Sequence, residues 1–318
     1  MRALRFRQYG PPSVLAIEEL PTPQPRSGES LVQIHAAAVN PSDVKNVAGA
    51  FKTVLPRTPG RDYAGTVIAG EGKGREVWGS GAGFGVERDG SHAEFVLMPS
   101  DWLADKPPHL SMEEAATIGV SFVVAWNGLI QKAGLESGET ILVTGAFGAV
   151  GRAVTQIAHW KGARVIGADI VDGSSECDTY INTKTQELVS EVRSATGNRG
   201  VDVVYDTVGG QLFEPCLKSL SLGGRQVTIA SIGERRVSFD LIDFYHNLTV
   251  LIGVDSLKLT GPQIAAIMNT FKPGFEHGAL KPFPTKTWGF DAAVAAYTAV
   301  EKGAGSKKQV LAPSRAQG

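Results

Sequence analysis

The sharpest change of hydrophobic period in the chain falls at residues 141–169, ILVTGAFGAVGRAVTQIAHWKGARVIGAD. Ile141, Leu142 and Val143 form a short continuous apolar run, the pattern of a parallel strand buried on both faces. Gly145, Gly148 and Gly151 interrupt it. Val150, Val154, Ile157 and Ala158 then recur at helical spacing, so one face of the predicted helix packs on a sheet. A second strand over 164–168 runs into Asp169.

Ahead of this unit the pattern is different. From residue 2 to about 111 the chain is rich in Pro and Gly, with short alternating segments such as LVQIHAAAV (31–39), which predict compact β structure. GSHAEFVLMPSDWLADKP (90–107) continues the alternation, with Ala93, Phe95 and Leu97 assigned to one face and His92, Glu94 and Val96 to the other. At Ser111 the character changes: Glu114 stands three residues later, a capping-box signature that predicts a linking helix over 111–134. After the glycine turn come GVDVVYDTVGG (200–210), a helix near 212–220, and strands at 225–231 and 248–255, which together predict an α/β, doubly wound parallel sheet. The tail carries helices at 262–271 and 291–301, and its QVLAP run is expected to return to the N-terminal domain. Two domains follow: 1–112 with 256–318, and 113–255.

Composition narrows the function. The 318 residues suffice for two cores. Lys plus Arg number 31 against 32 Asp plus Glu, a formal charge of −1, so no surface is built for nucleic acid or anionic lipid, and a small-molecule partner is expected. Cys177 and Cys216 are too few for a disulfide framework, which fits a reducing cytoplasm. Neither a signal-peptide core nor a run of about 18 apolar residues occurs, so no membrane association is expected. His35, His92, His109, His159, His246 and His277 show no metal-ligand spacing, and there is no G-x-S-x-G nucleophile string. His92 and His159 are expected to be structural or superficial.

The glycines of the turn have a physical purpose. A diphosphate must approach backbone N–H groups at a helix N-terminus, where unpaired donors and the helix dipole favour negative charge. In the G-x-G-x-x-G fingerprint Ala146 takes the first glycine's place, Gly148 and Gly151 the other two, and Asp169 is the acid about 20 residues on. A short-chain dehydrogenase is a competing reading, because TGAFGAVG resembles its TGxxxGxG string and Tyr180 and Lys184 have Y-x-x-x-K spacing. It fails on position: Ala149 replaces a required glycine, the tyrosine follows the turn too closely, and that family has no β-rich domain ahead of its dinucleotide unit.

A β-rich domain, an internal Rossmann unit and a C-terminal return resemble the medium-chain dehydrogenase/reductase superfamily over nearly the whole chain. AAVNPSDVKNVAG (37–49), LPRTPGRDYAG (55–65), GSHAEFVLMPSD (90–101), VDVVYDTVGG (201–210) and SLGGRQVTIAS (221–231) resemble its zinc-free quinone and enone oxidoreductase branch, to which zeta-crystallin belongs. The resemblance implies a GroES-like fold for the N-terminal domain. It also implies that Asn40, Arg61 with Asp62, and Val120 stand where zinc alcohol dehydrogenases carry a cysteine, a His-Glu pair and a second cysteine. Only the acid Asp62 survives, and the four-cysteine lobe for structural zinc is missing, so no metal is expected.

Without zinc, the implied chemistry is hydride transfer from a reduced nicotinamide to a quinone or an electron-poor C=C, which needs positioning and a donor for the developing negative oxygen. The N-P-x-D-x-K pattern implies Asn40 and Lys45 beside the nicotinamide, with Lys45 either stabilising charge on the substrate carbonyl or holding the cofactor ribose. Ser42 and Asp43 are expected to cap the following helix. Lys45 and Phe51 stand where quinone reductases of this branch carry tyrosines, and Tyr63 and Trp126 are candidates for pocket walls or core. Candidate cofactor contacts are Thr144, Gly145, Ala146, Phe147, Gly148, Ala149, Val150, Gly151, Asp169, Thr207, Val208, Ala230 and Ser231. Asp169 would accept from a ribose 2′-OH and repel a 2′-phosphate. No Arg or Lys lies between Asp169 and Asn182, Thr183 takes a tyrosine position, and the segment 169–178 is short; the expectation is NADH, against a family habit of NADPH. A homodimer joined through the apolar edge LTVLIGVD is also expected. The rival function is a catalytically quiet dinucleotide-binding protein with a structural or regulatory role.

Overall fold

The computed structural model describes residues 1–171, 176–303 and 305–313. The chain forms two compact units, Met1–Val123 with Leu257–Gly318, and Val124–Ser256. The first boundary therefore falls later than residue 112, because the capped turn Met112–Ala115 and the start of the helix Gly119–Trp126 belong to the first unit. Packing explains it: Phe122 is fully buried against the rings of Phe271, Phe275 and Phe283.

In the first unit the strand Glu29–Val39 is the spine of a seven-stranded sheet. Asp62–Gly70 pairs antiparallel along one edge; Phe95–Pro99 and then Lys308–Ala312 pair antiparallel along the other. The QVLAP run thus returns to the N-terminal strands as expected. Val32, Ile34, Ala37, Tyr63, Val67, Val77 and Met98 form one core, and Leu4, Phe6, Val44, Val47, Phe290, Tyr297 and Leu311 another. The face assignment over 90–107 holds within the strand Phe95–Pro99, where Phe95 and Leu97 share the half-buried face and Val96 and Met98 the buried one; residues 92–94 precede the strand.

The expected single helix over 111–134 is broken. Ser111 caps it as read from the sequence, with Glu114 N–H donating to Ser111 Oγ at 3.1 Å and Ser111 N–H to Glu114 Oε2 at 2.9 Å. The first helix ends at Ala115, a second spans Gly119–Trp126, and a π-helical turn follows over Asn127–Lys132. The break frees the N–H of Val120 for an acceptor outside its own helix.

The second unit is a six-stranded parallel sheet. Its strands, in chain order, are Thr140–Thr144, Arg164–Asp169, Thr179–Asn182, Val201–Asp206, Leu220–Thr228 and Val250–Gly253; across the sheet they run 3-2-1-4-5-6. This is the order of a doubly wound dinucleotide fold, whose ligands bind at the carboxyl ends of strands one and four, where the winding reverses. Thr179–Asn182 was not foreseen. Leu220–Thr228 starts and ends earlier than the predicted 225–231, which leaves Ala230 and Ser231 beyond the strand. Among the described residues no helix is long and apolar enough to cross a membrane.

Candidate active site

Strand one delivers the chain to a turn with two positions, Gly145 and Gly151, that have no room for a side chain. Gly145 has φ +61°, and a Cβ there would meet Thr207 Oγ1 at 2.4 Å. A Cβ on Gly151 would meet the Gly145 carbonyl oxygen at 2.2 Å and Ala146 Cα at 2.8 Å. Ala146 is tolerated in the first glycine's place because its neighbour on strand two is Gly167: a Cβ on Gly167 would already lie 3.1 Å from that of Ala146. The helix Ala149–Trp160 starts from Gly148 with no side-chain cap, so the N–H groups of Ala149, Val150 and Gly151 have no intrahelical acceptor. Such a start suits a diphosphate.

Thr144, Thr207 and Val208 are tied together at the end of strand four. Thr144 Oγ donates to Asp206 Oδ1 at 2.7 Å and accepts from Thr207 N–H, while Val208 and Gly209 N–H also donate to Asp206 Oδ1. Thr144 is fully buried and acts as scaffold, and Ala230 and Ser231 flank Gly209 from the neighbouring loop. Asp206, unmarked in the sequence, organises this side of the turn.

Asp169 is pinned to the turn. Its Oδ2 accepts from Phe147 N–H at 2.9 Å and its Oδ1 from Ile170 N–H at 2.7 Å. Each oxygen keeps a further lone pair for a hydroxyl. Phe147 packs edge-on against Tyr180 at 5.2 Å, and Thr183 bonds to the Asp169 carbonyl. The short segment expected at 169–178 has its middle, 172–175, outside the described residues.

The first unit holds a second, buried polar group, and the register of its sheet explains why. Gln309 pairs with Val39, so Lys308 starts its strand beside Asn40, just past the end of Glu29–Val39, while Asp62 starts the strand on the opposite edge. Asn40 Nδ2 donates to Asp62 Oδ2 at 2.8 Å, and Lys308 Nζ donates to Asn40 Oδ1 at 2.7 Å and to Ser121 Oγ at 3.0 Å. Val120 N–H donates to Asp62 Oδ1 at 2.8 Å. Gly119 permits that approach, since a Cβ there would lie 2.2 Å from Asp62 Oδ1.

Burial dominates the electrostatics of this group. It raises the pKa of Asp62, opposed by Lys308 and Asn40, and lowers that of Lys308, opposed by Asp62 and Asp43. Asp43 accepts from the Asn40 backbone N–H at 2.8 Å, the capping role read for it, and burial pushes it up to about 7.

The other sequence candidates scatter. Lys45 lies exposed on the helix Pro41–Val47, whose inward positions are Asp43, Val44, Asn46 and Val47. Tyr63 is core, its hydroxyl donating to Met98 Sδ, and Trp126 packs against Trp160 with the rings tilted by 43°. His92 is fully buried between Tyr297 Oη and the Ala38 carbonyl, and His159 is superficial against Asp178. Lys308 and Ser121 are the residues the sequence did not announce.

Comparison with known proteins places both halves of the chain in one family. The alcohol dehydrogenase GroES-like domain matches residues 26–108, and the zinc-binding dehydrogenase family matches 149–267. A zinc-type alcohol dehydrogenase-like protein of Schizosaccharomyces pombe is 38% identical over 290 residues, covering 88% of this chain and 87% of its own. A quinone oxidoreductase of Rattus norvegicus is 30% identical over 295 residues, covering 89% and 88%. The chain belongs to the medium-chain dehydrogenase/reductase superfamily, among its quinone-oxidoreductase-like members. A mycobacterial protein solved in complex with NADPH superposes with a TM-score of 0.85 at 25% identity, over 98% of this chain and 100% of that one.

The resemblance read from the sequence implies that Asn40, Asp62 and Val120 stand at the positions of the zinc ligands. Here Asn40 turns its oxygen to an ammonium, Val120 offers only a backbone N–H, and Asp62 is the one acid, each of its oxygens already accepting a hydrogen bond. Among the described residues no group of three or more His, Cys, Asp or Glu side chains is placed to hold a metal ion. The donor set does not fit catalytic zinc, which takes about three protein ligands of suitable type.

Proposed function

We propose that this medium-chain reductase passes a hydride from a reduced nicotinamide dinucleotide to a quinone or to the C=C of an α,β-unsaturated carbonyl, without zinc. One observation carries the reading: where a metal would sit, the protein has an asparagine amide held between a lysine ammonium and an aspartate. An amide donor can stabilise a developing enolate or quinol oxygen, whereas alcohol oxidation would call for a Lewis acid or a strong base. The turn fits the cofactor, which when bound would supply the hydride. The N–H groups of Ala149, Val150 and Gly151 would hold its diphosphate, Asp169 its adenosine ribose, and the amide of Asn40 the substrate oxygen. The test is loss of reduced-nicotinamide absorbance with a panel of quinones and enones after chelator treatment. Turnover that survives the chelator supports the reading; inertness with every acceptor, or activity restored only by zinc, overturns it. Tight dinucleotide binding with no turnover would favour the quiet binding role instead.

NADH is the proposed cofactor, on the strength of Asp169 and the lack of basic residues up to Asn182. Asp169→Ser also removes the bond to Phe147 and so weakens both cofactors, which makes the ratio of kcat/KM for NADH over NADPH the informative quantity. It is expected to favour NADH in the wild type and to fall roughly 10- to 100-fold in the variant, the worth of one hydrogen bond to a charged group. An unchanged ratio would remove Asp169 as the discriminator. We also propose a homodimer through the edge strand Val250–Gly253, where Leu248, Val250 and Leu251 are exposed beside Leu241, Ile242 and Tyr245. A monomeric mass by light scattering would refute that.

A further inference from the structure

We infer that Lys308 is a positioning residue, which together with Asp62 locks the Asn40 side chain in one of its two amide orientations. The inference rests on the proposed reaction and assigns a part in it to a residue far from any motif.

An asparagine amide is nearly symmetrical in shape but not in polarity, with two donors on Nδ2 and an acceptor at Oδ1. Here its surroundings leave no choice. Oδ1 faces the Lys308 ammonium at 2.7 Å and Nδ2 faces the Asp62 carboxylate at 2.8 Å. A flip would set NH2 against ammonium and carbonyl against carboxylate, replacing two charge-assisted hydrogen bonds by two repulsions in a site where Asn40 and Asp62 are buried. The partners are themselves fixed: Asp62 by Val120 N–H, and Lys308 by Ser121 Oγ. One N–H of Nδ2 is spent on Asp62, and the second has no acceptor among the described residues. The lock therefore preserves a donor for a substrate oxygen, where a flipped amide would present a carbonyl and repel it.

The lock depends on charge. Lys308 faces Asp62 from one strand and Asp43 from the helix after Asn40, with Arg61 acting on both acids. Burial eases loss of the ammonium proton, so the orientation should weaken at alkaline pH below the ordinary range for lysine.

The test compares Lys308→Met, Lys308→Arg and the wild type. Lys308→Met is expected to lower kcat by about 10- to 100-fold, the usual effect of misplacing a reacting group, with little change in dinucleotide affinity. Lys308→Arg should recover much of that loss and remove the alkaline fall in kcat, because guanidinium keeps its proton. In protein labelled with 15N at asparagine, the Asn40 side-chain signal, identified by its loss in Asn40→Ala, should shift in Lys308→Met and with alkaline pH in the wild type, but hold steady in Lys308→Arg. That signal does not need turnover: wild type inert toward all acceptors would sink the proposed reaction while leaving the lock to be decided by the signal. An Asn40 signal indifferent to Lys308→Met, or a folded Lys308→Met protein with unaltered kcat and pH profile, overturns the inference.

Discussion

Gly151 offers a direct measure of how closely the turn is built around its ligand. In Gly151→Ala the added Cβ would stand 2.2 Å from the Gly145 carbonyl oxygen and 2.8 Å from Ala146 Cα, against carbon contacts that are optimal at about 3.5–4 Å. Both neighbours are backbone, so no side chain can swing aside. Relief requires roughly 1 Å of movement between the turn and the helix Ala149–Trp160, and overpacking on this scale costs about 1–3 kcal/mol. The Gly145 carbonyl also accepts from Gly148 N–H at 2.9 Å, so moving it disturbs the residue that starts the helix. Part of the cost falls on dinucleotide affinity, because the displaced N–H groups are those that would meet the diphosphate. Calorimetric titration should show Kd rising about 5- to 100-fold for NADH and NADPH alike, with their ratio unchanged. Gly253→Ala is the control: a Cβ there meets nothing within 4 Å, and binding should match the wild type. A Gly151→Ala protein that binds within about twofold of the wild type, with an unaltered Tm, would refute the assignment of this turn as the diphosphate cradle.

Two buried groups in the first unit should give opposite pH signatures. Burial holds His92 down to about 4, below its unfolded 6.5, so its contribution to stability is present above pH 6.5 and is lost as pH falls toward 4; at about 1.4 kcal/mol per pH unit this amounts to roughly 3 kcal/mol. The urea stability of the wild type minus that of His92→Gln should therefore decline by that order across the window, and a flat difference would show that His92 titrates normally. Asp43 is raised from 3.8 to about 7, so its contribution is present below pH 3.8 and is lost as pH climbs to 7. Asp43→Asn should gain stability relative to the wild type over that range, by on the order of 4 kcal/mol. A relative gain on acidification instead would reverse the sign and reject it.

The dinucleotide half was legible because its signal is local. A strand, a glycine turn and an amphipathic helix follow one another in 20-odd residues, and each is decided by near neighbours. Asp169 could be placed by counting. Thr179–Asn182 could not, since only Ile181 and Asn182 of its four residues are buried and the run is too short to show alternation. Lys45 shows a different limit. Val44 and Val47 point inward, so the phase of the helix already turned Lys45 outward, to an exposed position that the motif spacing alone did not convey.

Lys308 was illegible for a topological reason. It lies 268 residues from Asn40, and the two meet only through the register of antiparallel strands at the end of Glu29–Val39. No window around SKKQVLAP distinguishes Lys308 from Lys307. The chemistry of the contact nevertheless argues that it does more than hold the fold. Buried ion pairs seldom stabilise a protein relative to apolar residues of the same shape, because desolvation cancels the attraction. A strand end that needed only packing would be served as well by leucine and methionine. The arrangement has a purpose when the amide between the charges matters: an ammonium on one side and a carboxylate on the other are what it takes to keep a carbonyl and an NH2 group, nearly equal in size, from exchanging places.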